Sequence, residues 1–217
     1  MSKEKSIRAL LLASGVGSRL KPLTDEWPKC LMPIGNRPLL EYWLENLFSL
    51  NVKKVLVNLH HHSDIVIKFL KRPRFKHWVD SIYEENLLGT AGTLRANSSY
   101  FEHCTTLLIH ADNWCQCNFS DFIAYHKLHR NNETVMTMMT FQTQSPETCG
   151  IVETNDKGIV LDFHEKVKNP PGNYANGAVY LLEREVIEWI KSNPFCFWRL
   201  MLMAWIYTEK YNRSRLT

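Results

Sequence analysis

The sequence lacks the marks of most specialised protein classes. No apolar run reaches the roughly 20 residues of a membrane-spanning helix, which argues against a membrane partner. The opening MSKEKSIRAL carries no secretory apolar stretch. Positive and negative side chains nearly balance, 26 Lys and Arg against 22 Asp and Glu, for a net charge of +4. Without a concentrated basic patch, so small an excess speaks against nucleic acid as a partner but leaves an acidic small molecule open. There are six cysteines (Cys30, Cys104, Cys115, Cys117, Cys149, Cys196), scattered through a chain too long to need disulfide staples. They read as reduced thiols of a cytoplasmic protein. Cys115 and Cys117 have no second pair at zinc-site spacing, and the triplet His60, His61, His62 falls where polar loop residues are ordinary content. No repeat or low-complexity segment is present.

What is there is an enzyme-sized globular chain of 217 residues, 45% hydrophobic and 22% charged. Its length suits one domain over residues 1–217. IRALLLAS, KKVLVNL, TTLLIHAD and TVMTMMTF read as buried strands, each a short continuous apolar run. Between them, PLLEYWLENLFSL puts Leu40, Trp43, Leu44, Leu47 and Phe48 on one helical face. Ser63 and Asp64 look like the start of a helix over IVIKFLK, and FSDFIAYHKLHR is helical. Strands alternating with helices predict an α/β fold, a Rossmann-like and mostly parallel mixed sheet with helices on both faces. From Gly150 the texture changes. GIVETNDKGIVLDFHEK reads as two strands around an Asn-Asp-Lys-Gly turn, and NPPGNYANGAVYLL as a loop entering another strand, together a small antiparallel annex. The stretch from Trp198 to Thr217 is atypical, crowding Leu, Met and Trp before a basic end, and is expected to form a final helix on the core.

Ligands in such a sheet bind beyond the carboxyl ends of its strands, and that is where LLASGVGSRLKPLTDEWPK begins. The dinucleotide fingerprint would require a third glycine where Leu20 stands, and the phosphate loop of nucleoside triphosphatases would require Gly-Lys starting five residues after Gly15. Both fail. What remains is a loop whose Gly15 and Gly17 let backbone N–H groups approach an anion, with Ser14 and Ser18 as further donors and Arg19 as a fixed positive fork. That set suits a polyphosphate better than a dinucleotide. The alternative is a tight strand-to-helix turn with a surface arginine.

The longer stretch ASGVGSRLKPLTDEWPKCLMPIGNRP resembles the signature of the sugar-nucleotidyltransferases, the nucleoside-diphosphate-sugar pyrophosphorylases, whose pattern runs GxGxRLxPLTxxxPKxLxPxxxxP. The wording is nearest to mannose-1-phosphate guanylyltransferase-like members. The resemblance implies the nucleotide-diphospho-sugar transferase fold and places nucleotide phosphates on Leu12, Ala13, Ser14, Gly15, Gly17, Ser18 and Arg19. Arg19 would steady the leaving pyrophosphate, and Lys29 would contact phosphate at the reacting centre. EENLLGTAGTL is similar to the family's second nucleotide segment, which brings in Gly89, Thr90, Ala91 and Gly92. LLIHADN stands where the family has a strand ending in the aspartate that holds magnesium, here Asp112. CGIVETNDKGIVLDFHEK and NYANGAVYLL resemble the sugar-pocket hairpin and strand, implying sugar contacts from Gly150, Glu165, Lys166 and Asn176. The likeness runs from about residue 7 to 190.

The implied reaction joins a nucleoside triphosphate to a sugar 1-phosphate and releases pyrophosphate. The wording LGTAG leans toward GTP, with mannose or a heptose as the sugar. One anion then attacks another, so catalysis rests on positive charge: Arg19, Lys29 and a Mg²⁺ held by Asp112. No general base is required, since a sugar phosphate is already ionised. The family's late segment Trp-x-Asp-x-Gly-Thr, source of its second metal aspartate, has no counterpart, and no aspartate follows Asp162. Glu183, Glu185, Glu188 and Glu209 are the carboxylates left to replace it. A truncated or divergent tail would account for the loss, and a nucleotide-binding homologue with impaired catalysis is the second reading. A metal-dependent glycosyltransferase is disfavoured, because its strand would end Asp-x-Asp where this one ends His-Ala-Asp. Assembly into a homo-oligomer is left open.

Overall fold

The structure, a computed structural model, describes residues 6–129, 134–193 and 204–208. A nine-stranded mixed sheet organises them. In chain order its elements begin with β1 (Ile7–Leu12), α1 (Leu23–Glu26), the two-residue strands β2 (Pro33–Ile34) and β3 (Arg37–Pro38), α2 (Leu39–Ser49) and β4 (Val55–Leu59). They continue with α3 (Ser63–Leu70), β5 (Val79–Tyr83), α4 (Gly89–Ala96), α5 (Ser98–Phe101), β6 (Thr105–His110) and α6 (Phe119–His129). The last are β7 (Met136–Gln142), β8 (Gly150–Thr154), β9 (Val160–Glu165), β10 (Tyr174–Leu182), α7 (Arg184–Ser192) and β11 (Ala204–Thr208). The main path runs β11-β7-β10-β6-β1-β4-β5, with the β8–β9 hairpin joined to it through β10. Every pairing on that path is parallel except the two made by β10.

Side chains of a strand alternate between the two faces of its sheet, and continuous apolar strands therefore need cover on both. In β1, Ala9 and Leu11 join a core that includes Trp43, Leu44 and Leu47 of α2, Phe69 of α3 and Phe122 of α6. Leu10, between them, joins a second core with Leu94 of α4, Phe101 of α5 and Val186, Ile187 and Ile190 of α7. Val152 and Val160 of the hairpin complete that second core, so the annex is fastened by burial as well as by strand pairing.

Two expectations fail. Phe48 is 68% exposed, stacking at a tilt on Trp78 rather than joining the core. It lies at the edge of the apolar stripe, next to the end of the helix, where a large ring reaches a neighbour more readily than the sheet. The expected terminal helix is also replaced: residues 204–208 form β11, parallel to β7 with Ala204 opposite Met136 and Thr208 opposite Thr140. An apolar run of this length is compatible with helix or buried strand, and the open edge of β7 decides between them. The rest of the atypical stretch, with Cys196 and Glu209, lies outside the described residues.

Candidate active site

The topology makes the cleft before any side chain does. From β1 the chain steps outward to β4 and β5, then returns to place β6 on the other side of β1. The order reverses between β1 and β6, and loops leaving the carboxyl ends of two such strands diverge and open a crevice. The glycine loop leaves β1 there, and Asp112 follows β6, where the Ala111 N–H donates to Leu12 O at 3.0 Å.

The loop is held from beneath. Gly17 has φ of +68°, a left-handed conformation, and a Cβ on it would fall 2.8 Å from Thr24 Cγ2 and 3.2 Å from Lys29 Cβ. Only glycine satisfies both constraints. Its carbonyl accepts hydrogen bonds from the Thr24 hydroxyl at 2.9 Å and from the Leu20 N–H at 2.8 Å. Lys29, in a short 3₁₀ turn over Lys29–Leu31, runs its aliphatic stem under the loop and brings Nζ to 2.5 Å from Asp112 Oδ2. A Cβ on Gly15 would lie 3.8 Å from that same oxygen. The structure thus brings together the loop, Lys29 and Asp112, which are far apart in sequence. The indole of Trp43 donates to Asn113 O at 3.0 Å and steadies the turn carrying Asp112. Ser18 and Arg19 are exposed, and Arg19 has no hydrogen bond or ion pair among the described residues.

The second predicted segment, Gly89, Thr90, Ala91 and Gly92, forms the first turn of α4. A buried polar network that sequence reasoning missed ties it to the glycine loop. Asn58, 1% exposed at the end of β4, accepts from the Ala13 N–H at 2.8 Å and donates to Ser14 Oγ at 3.1 Å and Thr93 Oγ1 at 3.4 Å. Thr93 donates to Glu84 Oε1 at 2.5 Å, and Glu84 Oε2 accepts from the Leu88 N–H at 3.4 Å. The imidazole of His60 is anchored by its Nδ1 to Glu84 O at 2.8 Å. The available sequence signal was a lone asparagine closing the apolar run KKVLVNL, since a polar group is buried in a strand only where it has partners.

The residues expected on the sugar side lie on the annex. Gly150 pairs with Glu165 across β8 and β9, and a Cβ on Gly150 would strike Phe163 Cζ at 2.4 Å and Glu165 Oε2 at 2.8 Å. The glycine is what lets that carboxylate fold back over the hairpin. Lys166 Nζ lies 3.2 Å from Glu165 Oε1, both side chains more than half exposed. Asn176 turns its amide inward, donating to the Tyr180 hydroxyl at 2.6 Å and accepting from the Ala178 N–H at 2.9 Å. It braces the irregularity in β10 between Asn176 and Tyr180. The ring centre of His110, at the end of β6, lies 6.4 Å from that of the buried Tyr180.

Burial sets the electrostatics beneath the site. It pushes the Cys30 thiol up to about 12, with the Asp112 charge adding to the effect. It lowers His110, keeping that ring neutral, while Asp112 pulls the other way. Of the carboxylates considered as a second metal ligand, Glu183 is excluded by position: 4% exposed, it accepts from Thr105 and meets His126, at the start of β6. Asp112 lies seven residues further along, about 20 Å at strand rise. Glu185 and Glu188 lie on α7, which opens from Glu183.

A family model described as nucleotidyl transferase matches residues 8–195. The chain therefore belongs to the nucleotidyl transferase family, the class that the crevice, the glycine loop and the Lys29–Asp112 pair had indicated. Among its relatives is the mannose-1-phosphate guanyltransferase of Schizosaccharomyces pombe, 28% identical over 194 residues, covering 87% of this chain and 53% of that one. The chain spans about half the length of the curated relatives it matches. A Bacillus anthracis protein solved in complex with a sucrose has the same fold, with a TM-score of 0.83 at 19% identity, over 94% of this chain and 87% of that one. HddC from Yersinia pseudotuberculosis, complexed with GMP-PN, gives a TM-score of 0.75 at 22% identity, over 94% and 90%. No helix among the described residues is long and apolar enough to cross a membrane.

Proposed function

We propose that the chain transfers a nucleoside monophosphate from a triphosphate to a sugar 1-phosphate, releasing pyrophosphate, with GTP as donor and mannose or heptose 1-phosphate as acceptor. The observation that carries this is the 2.5 Å pair of Lys29 Nζ and Asp112 Oδ2 beneath the glycine loop. It sets a cation and a hard anionic ligand side by side where triphosphate would lie. The loop N–H groups and Ser14 hold the phosphates, Arg19 reaches the departing pyrophosphate, and Lys29 offsets charge on the α-phosphate. The 88–92 turn faces the nucleoside, and Gly150, Glu165, Lys166 and Asn176 line the sugar side. The S. pombe relative's name supports the guanylyl and mannosyl assignments.

Magnesium fits this donor set. Asp112 is a carboxylate with Oδ1 free of partners among the described residues and with Oδ2 already facing a positive charge. Mg²⁺ is commonly held by one or two carboxylates plus substrate phosphates, and when bound it would neutralise phosphate charge as a Lewis acid. A second reading, nucleotide binding with impaired catalysis, draws on a separate observation. No aspartate follows Asp162 in the sequence to supply a second metal ligand, and Glu183 is held at the start of β6. A cytoplasmic setting accords with the free thiols of Cys30, Cys104 and Cys149.

Pyrophosphate release, screened over four nucleoside triphosphates and several sugar 1-phosphates with magnesium, tests the proposal. Turnover is expected with GTP and mannose 1-phosphate. Thermal stabilisation by nucleotide with no pyrophosphate from any pair would favour the binding-only reading.

A further inference from the structure

We propose that Asn58 is a positioning residue that, by donating to the Ser14 hydroxyl, keeps the Ser14 proton free for the glycine loop to offer to a phosphate oxygen. This rests on the reading of the loop as a triphosphate cradle and adds a buried device that keeps a hydroxyl proton available to the cradle.

The orientation of the Asn58 amide is dictated by its neighbours. A backbone N–H can only donate, so the atom 2.8 Å from the Ala13 nitrogen is Oδ1, and Nδ2 takes the opposite side. There Nδ2 meets two hydroxyl oxygens, Ser14 at 3.1 Å and Thr93 at 3.4 Å, and each must act as acceptor. Thr93 can do so because its own proton is committed to the Glu84 carboxylate, 2.5 Å away. The bonds therefore run in one sense, with Asn58 donating to Thr93 and Thr93 to Glu84. Reversing them would leave the Ala13 N–H or Glu84 unsatisfied in the core, where Asn58 is 1%, Glu84 5% and Thr93 0% exposed.

Ser14 hangs on the same amide. With Nδ2 on one of its lone pairs, its O–H must point elsewhere, and no described residue accepts that proton. Ser14 is partly exposed and opens the loop that leaves β1 at the crevice. One Ser14 lone pair is taken by Asn58 and its proton is not, so an anion there finds a proton with no competing acceptor among the described residues. Keeping that proton off any protein acceptor before the ligand arrives spares the anion the cost of breaking an existing hydrogen bond.

Asn58→Asp tests the mechanism because it keeps size and shape. The new carboxylate still accepts from Ala13 but also accepts the Ser14 proton, turning the Ser14 lone pairs toward the phosphate. GTP affinity, measured by calorimetry with magnesium, is compared among the wild type, Asn58→Asp, Ser14→Ala and the double variant. Each single change is expected to weaken binding about 10-fold, the worth of one hydrogen bond to a charged group. The double variant is expected to be about 10-fold weaker too, because Asn58 acts through Ser14. A loss near the product of the two, or unchanged affinity in Ser14→Ala, overturns the proposal. A purely structural role for Asn58 would give that product. If Asn58→Asp loses the cooperative melt of the wild type, neutron diffraction on wild-type crystals decides: the Ser14 deuteron should point into the crevice, and a deuteron aimed at Asn58 overturns the assignment. Wild-type protein that binds none of four triphosphates would instead sink the reading of the loop itself, and the phosphate-directed role with it.

Discussion

The two halves of the cleft are built differently. On the triphosphate side the polar groups come from the core: Asn58, Glu84 and Thr93 are buried, and Lys29 and Asp112 keep only 22% and 30% of their side chains exposed. On the sugar side the charged pair Glu165–Lys166 keeps 58% and 63% exposed, on a hairpin. An exposed ion pair contributes little to stability and leaves both side chains free to move, whereas buried, mutually satisfied groups are fixed before a ligand arrives. On the proposed reading, recognition of phosphate is part of the fold, and recognition of the sugar is laid over it by residues that can change without disturbing what lies beneath.

That contrast is most easily broken at Lys29. If the triphosphate side carries the chemistry, Lys29→Ala should lower kcat at least about 10²-fold, the cost of one cation or donor aimed at developing charge, while the thermal melt stays close to wild type. Activity within a few-fold of wild type would remove Lys29 from the mechanism. Gly17→Ala probes the scaffold of the same side. With φ at +68° and a Cβ 2.8 Å from Thr24 Cγ2, it should cost about 1–3 kcal/mol in chemical unfolding. A neutral result would mean that the loop adapts and is not preformed. On the sugar side Lys166→Ala should raise KM for the sugar 1-phosphate a few-fold and change stability by less than about 0.5 kcal/mol. A drop in kcat at saturating sugar phosphate would show that the hairpin takes part in the chemical step and erase the distinction.

The same contrast explains what could be read from the letters. IRALLLAS, KKVLVNL and TTLLIHAD were legible because each is a short continuous apolar run, and a run of that kind needs cover on both faces whatever its neighbours are. The glycine loop was legible because Gly17 answers a local backbone requirement. Helix α4 was not: GTAGTLRA holds two glycines and two threonines and has little intrinsic preference for helix. Burial of Leu94 and Thr93 supplies what propensity lacks. The Asn58 network was hidden for a related reason. Its members are 35 and 9 positions apart, and nothing local to any one of them states that the others will be near. Strand β11 depends on the edge of β7, and Phe48 on the position of Trp78. Features that a residue imposes on its own neighbourhood could be inferred, and features that two distant segments impose on each other could not.

A subtler effect, visible only at alkaline pH, concerns the thiols beneath and beside the site. Burial raises Cys30 from 9.0 to about 12, under the Lys29 turn, whereas Cys149, next to Gly150 on the annex, is partly exposed. A thiol whose pKa is raised in the folded state holds its proton there more tightly than in the unfolded chain. Its contribution to stability is complete below pH 9 and is lost as the pH rises from 9 toward 12. Cys104 is raised by burial as well. Tyr100 and Tyr180 are also raised, but from an ordinary value of 10.0, so the interval from pH 9 to 10 reports mainly on the thiols. One proton changes stability by at most about 1.4 kcal/mol per pH unit. Cys30→Ala should therefore flatten the fall in unfolding free energy between pH 9 and 10 by up to that amount. The sulfur lost from the core lowers stability at every pH alike, so the slope isolates the proton from the packing. At pH 8.5 iodoacetamide should label Cys149 well before Cys30. Equal labelling, or a slope unchanged by Cys30→Ala, would show that the turn under Lys29 opens to solvent as readily as the annex does, and the triphosphate side would then be no more preformed than the sugar side.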